Sequence, residues 1–328
     1  MFNKQIKERL TIMSYFCAFL TTYLIVYFVT PILIKLAIRF NFVDKPTKRK
    51  KQEEPVPLVG GISLLIAFFI GYHFFIITID KRFIYILVSS FLVFFIGIVD
   101  DWYKTKGKEF SVFPRLVIQI IAAFMIYHSE IAFNGFTNPW THNYIELPWE
   151  LSLLLSITWI LGVTTVINWS DGVDALAGSL SAIASTTLFI VALAKNQTDS
   201  AMMSVLLVGS LIGFLKYNRY PAKTYMGDSG ANFSGFILSI IALDGAFKQA
   251  TIISIAIPIL ALGVPIFDNV YVIIRRIINL KPIYEADASQ IHHRLLSTGL
   301  NQKQVVMFIC LTSLCFSLCS IIILLLKI

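Results

Sequence analysis

An all-α, polytopic membrane fold of about ten transmembrane helices is predicted for this chain. Three observations predict it: an apolar majority, apolar runs of membrane-crossing length from one end to the other, and polar motifs confined to the ends of those runs. Apolar residues make up 57% of the 328, and mean hydropathy is +0.76. Water-soluble domains are about 45–50% apolar, so this chain is built for an apolar solvent.

The apolar runs cover, approximately, 13–37, 58–79, 83–99, 115–133, 150–167, 174–194, 200–216, 232–247, 250–274 and 305–326. The first follows Lys4, Lys7, Glu8 and Arg9. It is too long for a signal-peptide core and has no small-residue cleavage site, so it reads as a retained helix. The second opens on Pro57-Leu-Val-Gly60-Gly61, and the third ends on Asp100-Asp101. The runs 83–99 and 232–247 are short, which tilt or shielding by neighbours accommodates. Asn134–Glu150, rich in Gly, Pro and aromatics, reads as a small external cap with Trp140 and Trp149 as interface anchors. The fifth and sixth runs flank Asn168-Trp-Ser-Asp171-Gly172-Val-Asp174. Asn218 through Lys223 to Gly227-Asp228-Ser229-Gly230 precedes the eighth, and a long loop with Asp287 and His292-His293-Arg294 precedes the last. No repeat at a fixed period and no low-complexity linker interrupts the pattern, so residues 1–328 read as one integral membrane domain. Cys17, Cys310, Cys315 and Cys319 lie in apolar runs without metal-like pairing and read as small hydrophobes.

Net charge is +8, from 27 Lys+Arg against 19 Asp+Glu. In a chain of this hydropathy the basic excess reads as positive-inside loops rather than a nucleic-acid surface. Loops 38–57, 100–114, 168–173, 217–231 and 275–304 hold most of the Lys and Arg and are expected to be cytoplasmic, with both termini external. The run DKPTKRKKQEEPVP at 44–57 is an anchor of that kind, and it would also attract an anionic nucleotide sugar or lipid phosphate.

The polar motifs fall on this one face. Asp100, Asp101, Asp171, Asp174 and Asp228 sit at helix ends against the bilayer, where carboxylates are costly unless paired or bound to a cation. A hard divalent ion takes oxygen ligands, and Mg2+ commonly uses one or two carboxylates plus substrate phosphates. That chemistry suits phosphoryl transfer. Gly60-Gly61 and Gly227-Asp228-Ser229-Gly230 each precede a helix whose free N–H groups can receive phosphate, although a glycine pair also serves helix packing. His292 and His293 can bind phosphate, hold a metal, shuttle protons or cap the last helix, and Arg294 beside them favours an anion. No His/Cys/Asp set has zinc spacing.

With these residues in hand, the chain resembles the polyprenyl-phosphate N-acetylhexosamine-1-phosphate transferase superfamily. The resemblance runs from DKPTKRKKQEEPVPLVGG to ADASQIHHRLLSTGL, with GIVDDWYK, NWSDGVDALAG and YNRYPAKTYMGDSG in the shared order. It implies attack of a polyprenyl (undecaprenyl) phosphate on the β-phosphate of a UDP-N-acetylhexosamine, releasing UMP and starting a surface glycan. It implies Mg2+, with Mn2+ as an alternative, and a multi-pass protein of the bacterial inner membrane, with a homodimer left open. Carried onto this chain, it makes Asp228 the best metal ligand, with Asp100 and Asp101 positioning or deprotonating the lipid phosphate and assisting the metal. Asn168, Asp171 and Asp174 would line the nucleotide-metal pocket, Asn218 belongs to the metal-loop motif, and His292, His293 and Arg294 would meet the diphosphate or sugar. The pattern is nearer the N-acetylglucosamine-1-phosphate branch than the muramoyl-pentapeptide branch, whose longer His run and following acid are missing. Gln290 and Gln52 stand where that branch often has His, Leu58 where it often has Arg, and Ala175 where Gly is common, which leaves the particular hexosamine open. A transporter with broken helices, which would place polar groups near span centres, and a catalytically weak homologue acting as a glycan-assembly scaffold are the alternatives.

Overall fold

The computed structural model of the chain describes residues 2–45, 54–76, 80–138, 141, 143–246, 252–282 and 289–326. The centre of the charge run, with Gln52, and Trp140 and Asp287 lie outside these described residues. Twelve α-helices are found among them: α1 (Phe2–Arg39), α2 (Gly60–Phe75), α3 (Lys81–Thr105), α4 (Val112–Tyr127), α5 (Trp149–Trp169), α6 (Leu176–Ala194), α7 (Thr198–Asn218), α8 (Gly227–Ile241), α9 (Ile252–Ala261), α10 (Gly263–Ile278), α11 (Ile291–Ser297) and α12 (Gln302–Leu325). Two small antiparallel hairpins accompany them, β1 (Val43–Asp44) with β2 (Val56–Pro57), and β3 (Gly135–Thr137) with β4 (Tyr144–Glu146). The second hairpin lies within the segment 134–150, and Trp149, which follows it, stands exposed.

Each of the ten apolar runs carries helix, but six helices, α1, α3, α5, α6, α7 and α12, are long and apolar enough to cross a membrane alone. A seventh is reached if the α9–α10 pair counts as one span, while α2 and α4 are shorter apolar helices. The run 250–274, expected as one span, is broken by an 85° bend. Pro265 explains the position of the break. It has no N–H to offer the Ala261 carbonyl, and its ring would meet that carbonyl in a continuous helix; in the first turn of α10 it costs nothing.

The fifteen residues of α8 are all buried, wrapped by α2, α3, α5, α6 and α7. This helix carries Asp228, Ser229, Asn232, Ser234 and Ser239 as well as apolar residues, so neighbouring helices shield this short element on every side. Its far end turns into a π-helical segment, Ala242–Ala246. There Asp244 pairs with Arg82 at 2.5 Å and accepts from Ser200 Oγ, so the acid inside this run is neutralised rather than lipid-exposed. α1 packs along α7, where Gly209 and Gly213 form a small-xxx-small stripe. A Cβ on Gly213 would stand 2.9 Å from the Tyr23 carbonyl oxygen, so glycine lets the two backbones meet. The outer faces of α1 and α12 expose rows of Phe, Leu and Ile, as lipid-facing helices do.

The loop between α5 and α6 ends on Ala175, which holds a left-handed backbone (φ +67°) and donates its N–H to Asn218 Oδ1 at 2.9 Å. That conformation costs an L-residue about 1–2 kcal/mol and glycine nothing, which gives a physical reason for glycine at this turn. Ala175→Gly is expected to stabilise the protein by about 0.5–1 kcal/mol after the added unfolded-state entropy of glycine. A thermal melt in detergent showing a loss of stability would contradict this.

Candidate active site

Segments 40–45, 54–59, 170–175, 219–226 and 289–301 meet at one end of the bundle, tied together by their own polar groups. Asn218, at the end of α7, donates to the Thr224 carbonyl at 2.9 Å while accepting from Ala175, so one buried amide clasps two loops. Asp174 accepts from Ala222 N at 3.0 Å across the same seam. Tyr225 N and Thr224 Oγ1 both reach the Pro57 carbonyl at 2.9 Å.

Gly60 and Gly61 spend their backbone donors within the chain. Their N–H groups donate to the Tyr225 and Met226 carbonyls at 3.0 and 3.1 Å, and a Cβ on Gly61 would lie 2.7 Å from Gly230 Cα. The expectation that this pair receives phosphate is corrected: the donors are consumed in pinning α2 to the turn before α8, and packing is the use the fold makes of both glycines.

Adjacent aspartates on α3 take different roles. Asp101 is fully buried, and its two oxygens accept from Asp228 N (2.7 Å), Ser229 N (3.0 Å) and Ser229 Oγ (2.7 Å). It therefore supplies the acceptor that the first turn of α8 lacks, a cap delivered from another helix. Gly227 just before it has φ +71°, and a Cβ there would press on this carboxylate. Asp101, expected to assist the metal, has three acceptor directions taken by the start of α8 and so fixes the turn that carries Asp228. Asp100 points the other way, pairing with Arg115 and coming within hydrogen-bonding reach of Asp228.

Asp228 is the centre of the cluster. Its Oδ1 accepts from Asn168 Nδ2 at 3.2 Å, its Oδ2 meets Lys104 Nζ at 2.6 Å, and Arg115 lies 3.9 Å away. Its place in the first turn of α8 adds the favourable helix dipole. Asp171 completes the acidic set from the α5–α6 loop. Burial first, and then the charge of Asp228, push its carboxyl up to about 7. Among the described residues, Asp100, Asp101, Asp171 and Asp228 thus share the cationic help of Lys104 and Arg115, and charge is left over on the acidic side. Lys104 and Arg115 went unnoticed as site residues in the sequence, though Lys104 lies four residues after Asp100, on the same helical face.

His292 is buried on the other side of this loop, its ring against Gly172, where any Cβ would collide with the imidazole. Its Nε2 has no hydrogen-bond partner among the described residues. The His293 ring follows at 4.3 Å, and Gln290 Nε2 donates to the Trp169 carbonyl at 3.0 Å. Burial, then His293, hold the His292 imidazole down to about 3, so it is neutral at physiological pH. The unfolded chain binds a proton near 6.5, so stability is lost as pH falls below that value. The loss is about 2 kcal/mol by pH 5. Asp171, raised instead, acts in the opposite direction, so a comparison with His292→Gln isolates the histidine. The variant is expected to lose about 2 kcal/mol less stability than the parent between pH 7 and 5; equal losses would contradict it.

Among the described residues no three or more His, Cys, Asp or Glu side chains are arranged to hold a metal unaided. The donor set nonetheless fits a hard divalent ion of the kind that completes its shell with phosphate and water. It offers carboxylate oxygens on Asp228, Asp100 and Asp171, an acidic excess, and no thiolate.

The model of glycosyl transferase family 4 matches residues 83–246, the stretch that carries the acidic cluster. A probable undecaprenyl-phosphate N-acetylglucosaminyl 1-phosphate transferase of Bacillus subtilis is 38% identical, covering 93% of this chain and 84% of that protein. An undecaprenyl-phosphate alpha-N-acetylglucosaminyl 1-phosphate transferase of Salmonella typhi is 27% identical over 85% of this chain and 76% of its own length. A phospho-N-acetylmuramoyl-pentapeptide-transferase of Bacillus velezensis is also 27% identical, over 91% and 93%.

Proposed function

This chain belongs to glycosyl transferase family 4, and from that premise we propose that it transfers an N-acetylhexosamine-1-phosphate, GlcNAc-1-phosphate by preference, from a UDP-sugar to undecaprenyl phosphate. An oxygen of the lipid phosphate attacks the β-phosphorus of the donor. The bond from that phosphorus to the bridging oxygen breaks, UMP leaves with the electron pair, and a lipid-linked diphosphosugar remains. The observation that carries this reading is the cluster of Asp100, Asp228 and Asp171 with Lys104 and Arg115 at one end of a bundle of apolar helices. A lipid-borne phosphate and a water-borne diphosphate can meet at such a place.

Asp228 and, beside it, Asp100 would hold Mg2+, or Mn2+ in its stead. When bound, the ion draws charge from the phosphate oxygens in flight. Lys104 and Arg115, paired with Asp228 and Asp100, would also meet the negative charge of the substrate phosphates. Asp100 orients the lipid phosphate and accepts its proton where one is present. Asn168 keeps Asp228 in register. Asp171 and Asp174 border the nucleotide side, and His292, His293 and Arg294 border the diphosphate or sugar. Residues 1–328 act as one transferase domain in the bacterial inner membrane, the acidic end cytoplasmic, and the product initiates a surface glycan.

The test is purified protein with undecaprenyl phosphate, Mg2+ and a panel of UDP-sugars. Lipid-linked product is expected with at least one UDP-N-acetylhexosamine. Absence of product with all of them, while the B. subtilis relative turns over in the same assay, would overturn the reading.

A further inference from the structure

Asp268 is the one acid of α10, on a helix that also exposes Phe267, Val270, Ile274 and Ile277. A carboxylate beside such a surface is costly unless it is engaged, and this one is engaged entirely with the next helix. Ile291 N lies 2.9 and 3.0 Å from its two oxygens, and Arg294 Nη2 donates to it at 3.2 Å. Tyr271, three residues on, carries the Arg294 guanidinium over its ring at 4.3 Å. Ile291 is the first residue of α11, so Asp268 takes the role of its N-cap. Gln290, which occupies the cap position, has sent its side chain to Trp169 instead. α11 is only seven residues long, too short to hold its own shape. The orientation of its side chains is therefore set by what it is seated on.

Two of those side chains carry buried polar atoms without a hydrogen-bond partner among the described residues, His292 Nε2 and Arg294 Nε. We propose that Asp268 is a positioning residue for the transfer reaction: it seats α11 through Ile291 and Arg294, so that His292, His293 and Arg294 are presented to the donor's diphosphate. The proposal rests on the phosphosugar-transfer reading above. Asp268 itself touches no substrate; its effect passes through α11. The role was hidden in the sequence inside a run read as a lipid-crossing span.

The experiment compares the full-length parent with Asp268→Ala and Asp268→Asn in detergent, the second variant keeping an oxygen for Ile291 N–H in case alanine prevents folding. Two readouts are taken: KM for each substrate, and the rate at which diethyl pyrocarbonate acylates His292, followed by peptide mass spectrometry. In Asp268→Ala, KM for the UDP-sugar is expected to rise about tenfold or more, as loss of a supporting partner does, while KM for undecaprenyl phosphate stays within about twofold. His292 is expected to be acylated about tenfold faster, with Asn between alanine and the parent. A donor KM unchanged in a variant with exposed His292, or a His292 as protected as in the parent, overturns the proposal. If the parent turns over no UDP-sugar, the transfer reading fails instead, and His292 protection alone still decides whether Asp268 seats α11.

Discussion

Asp228→Asn is expected to lower turnover by about a thousandfold or more, equivalent to about 4 kcal/mol of transition-state stabilisation, without unfolding the protein. Asparagine keeps the shape of the side chain and an oxygen for Asn168 Nδ2, and the backbone N–H still reaches Asp101. What it loses is the negative charge that meets Lys104 and that would hold the ion. The melting temperature is expected to stay within a few degrees of the parent, since a half-exposed lysine left without its partner loses about 1 kcal/mol or less. Turnover within tenfold of the parent would remove Asp228 from the centre of the site.

Asp101→Ala is expected to abolish turnover by a different route. Alanine strands Asp228 N, Ser229 N and Ser229 Oγ at a buried helix start. Each orphaned donor costs about 1–3 kcal/mol, so a stability loss of about 3 kcal/mol or more accompanies the loss of activity. The pair of substitutions separates the two aspartates: both inactivate, and only the one at 101 lowers the melting temperature markedly. An Asp101→Ala protein as stable as the parent would contradict the capping role.

Much of this architecture was legible in the sequence because it rests on local rules. Apolar length marks helices, and motifs at run ends mark one face; every run does carry helix, the run 250–274 as two, and Asp100, Asp101, Asn168, Asp171 and Asp228 do converge. What was hidden depends on which atom faces which. Asp100 and Asp101 are identical letters side by side, yet helical geometry turns one toward Arg115 and the other under α8. Gly60-Gly61 carries the composition of a phosphate loop, but its N–H groups are spent on carbonyls some 165 positions away in sequence. The α9–α10 break was foreshadowed by Pro265 and passed over because hydropathy alone was continuous. Asp244 and Asp268 lie inside apolar runs, where an ionisable residue is itself a signal. The first proved to be a buried ion pair with Arg82 and the second the seat of α11.

Phosphosugar transfer requires that the bond broken lie between the α- and β-phosphates of the donor, and the identity of the released nucleotide tests this most directly. The purified protein is incubated with undecaprenyl phosphate, Mg2+ and a UDP-N-acetylhexosamine labelled at the β-phosphorus. Phosphosugar transfer predicts UMP in amounts equal to lipid product, with the label in the lipid. Release of UDP that retains the label, with sugar alone passed to the lipid, would contradict it.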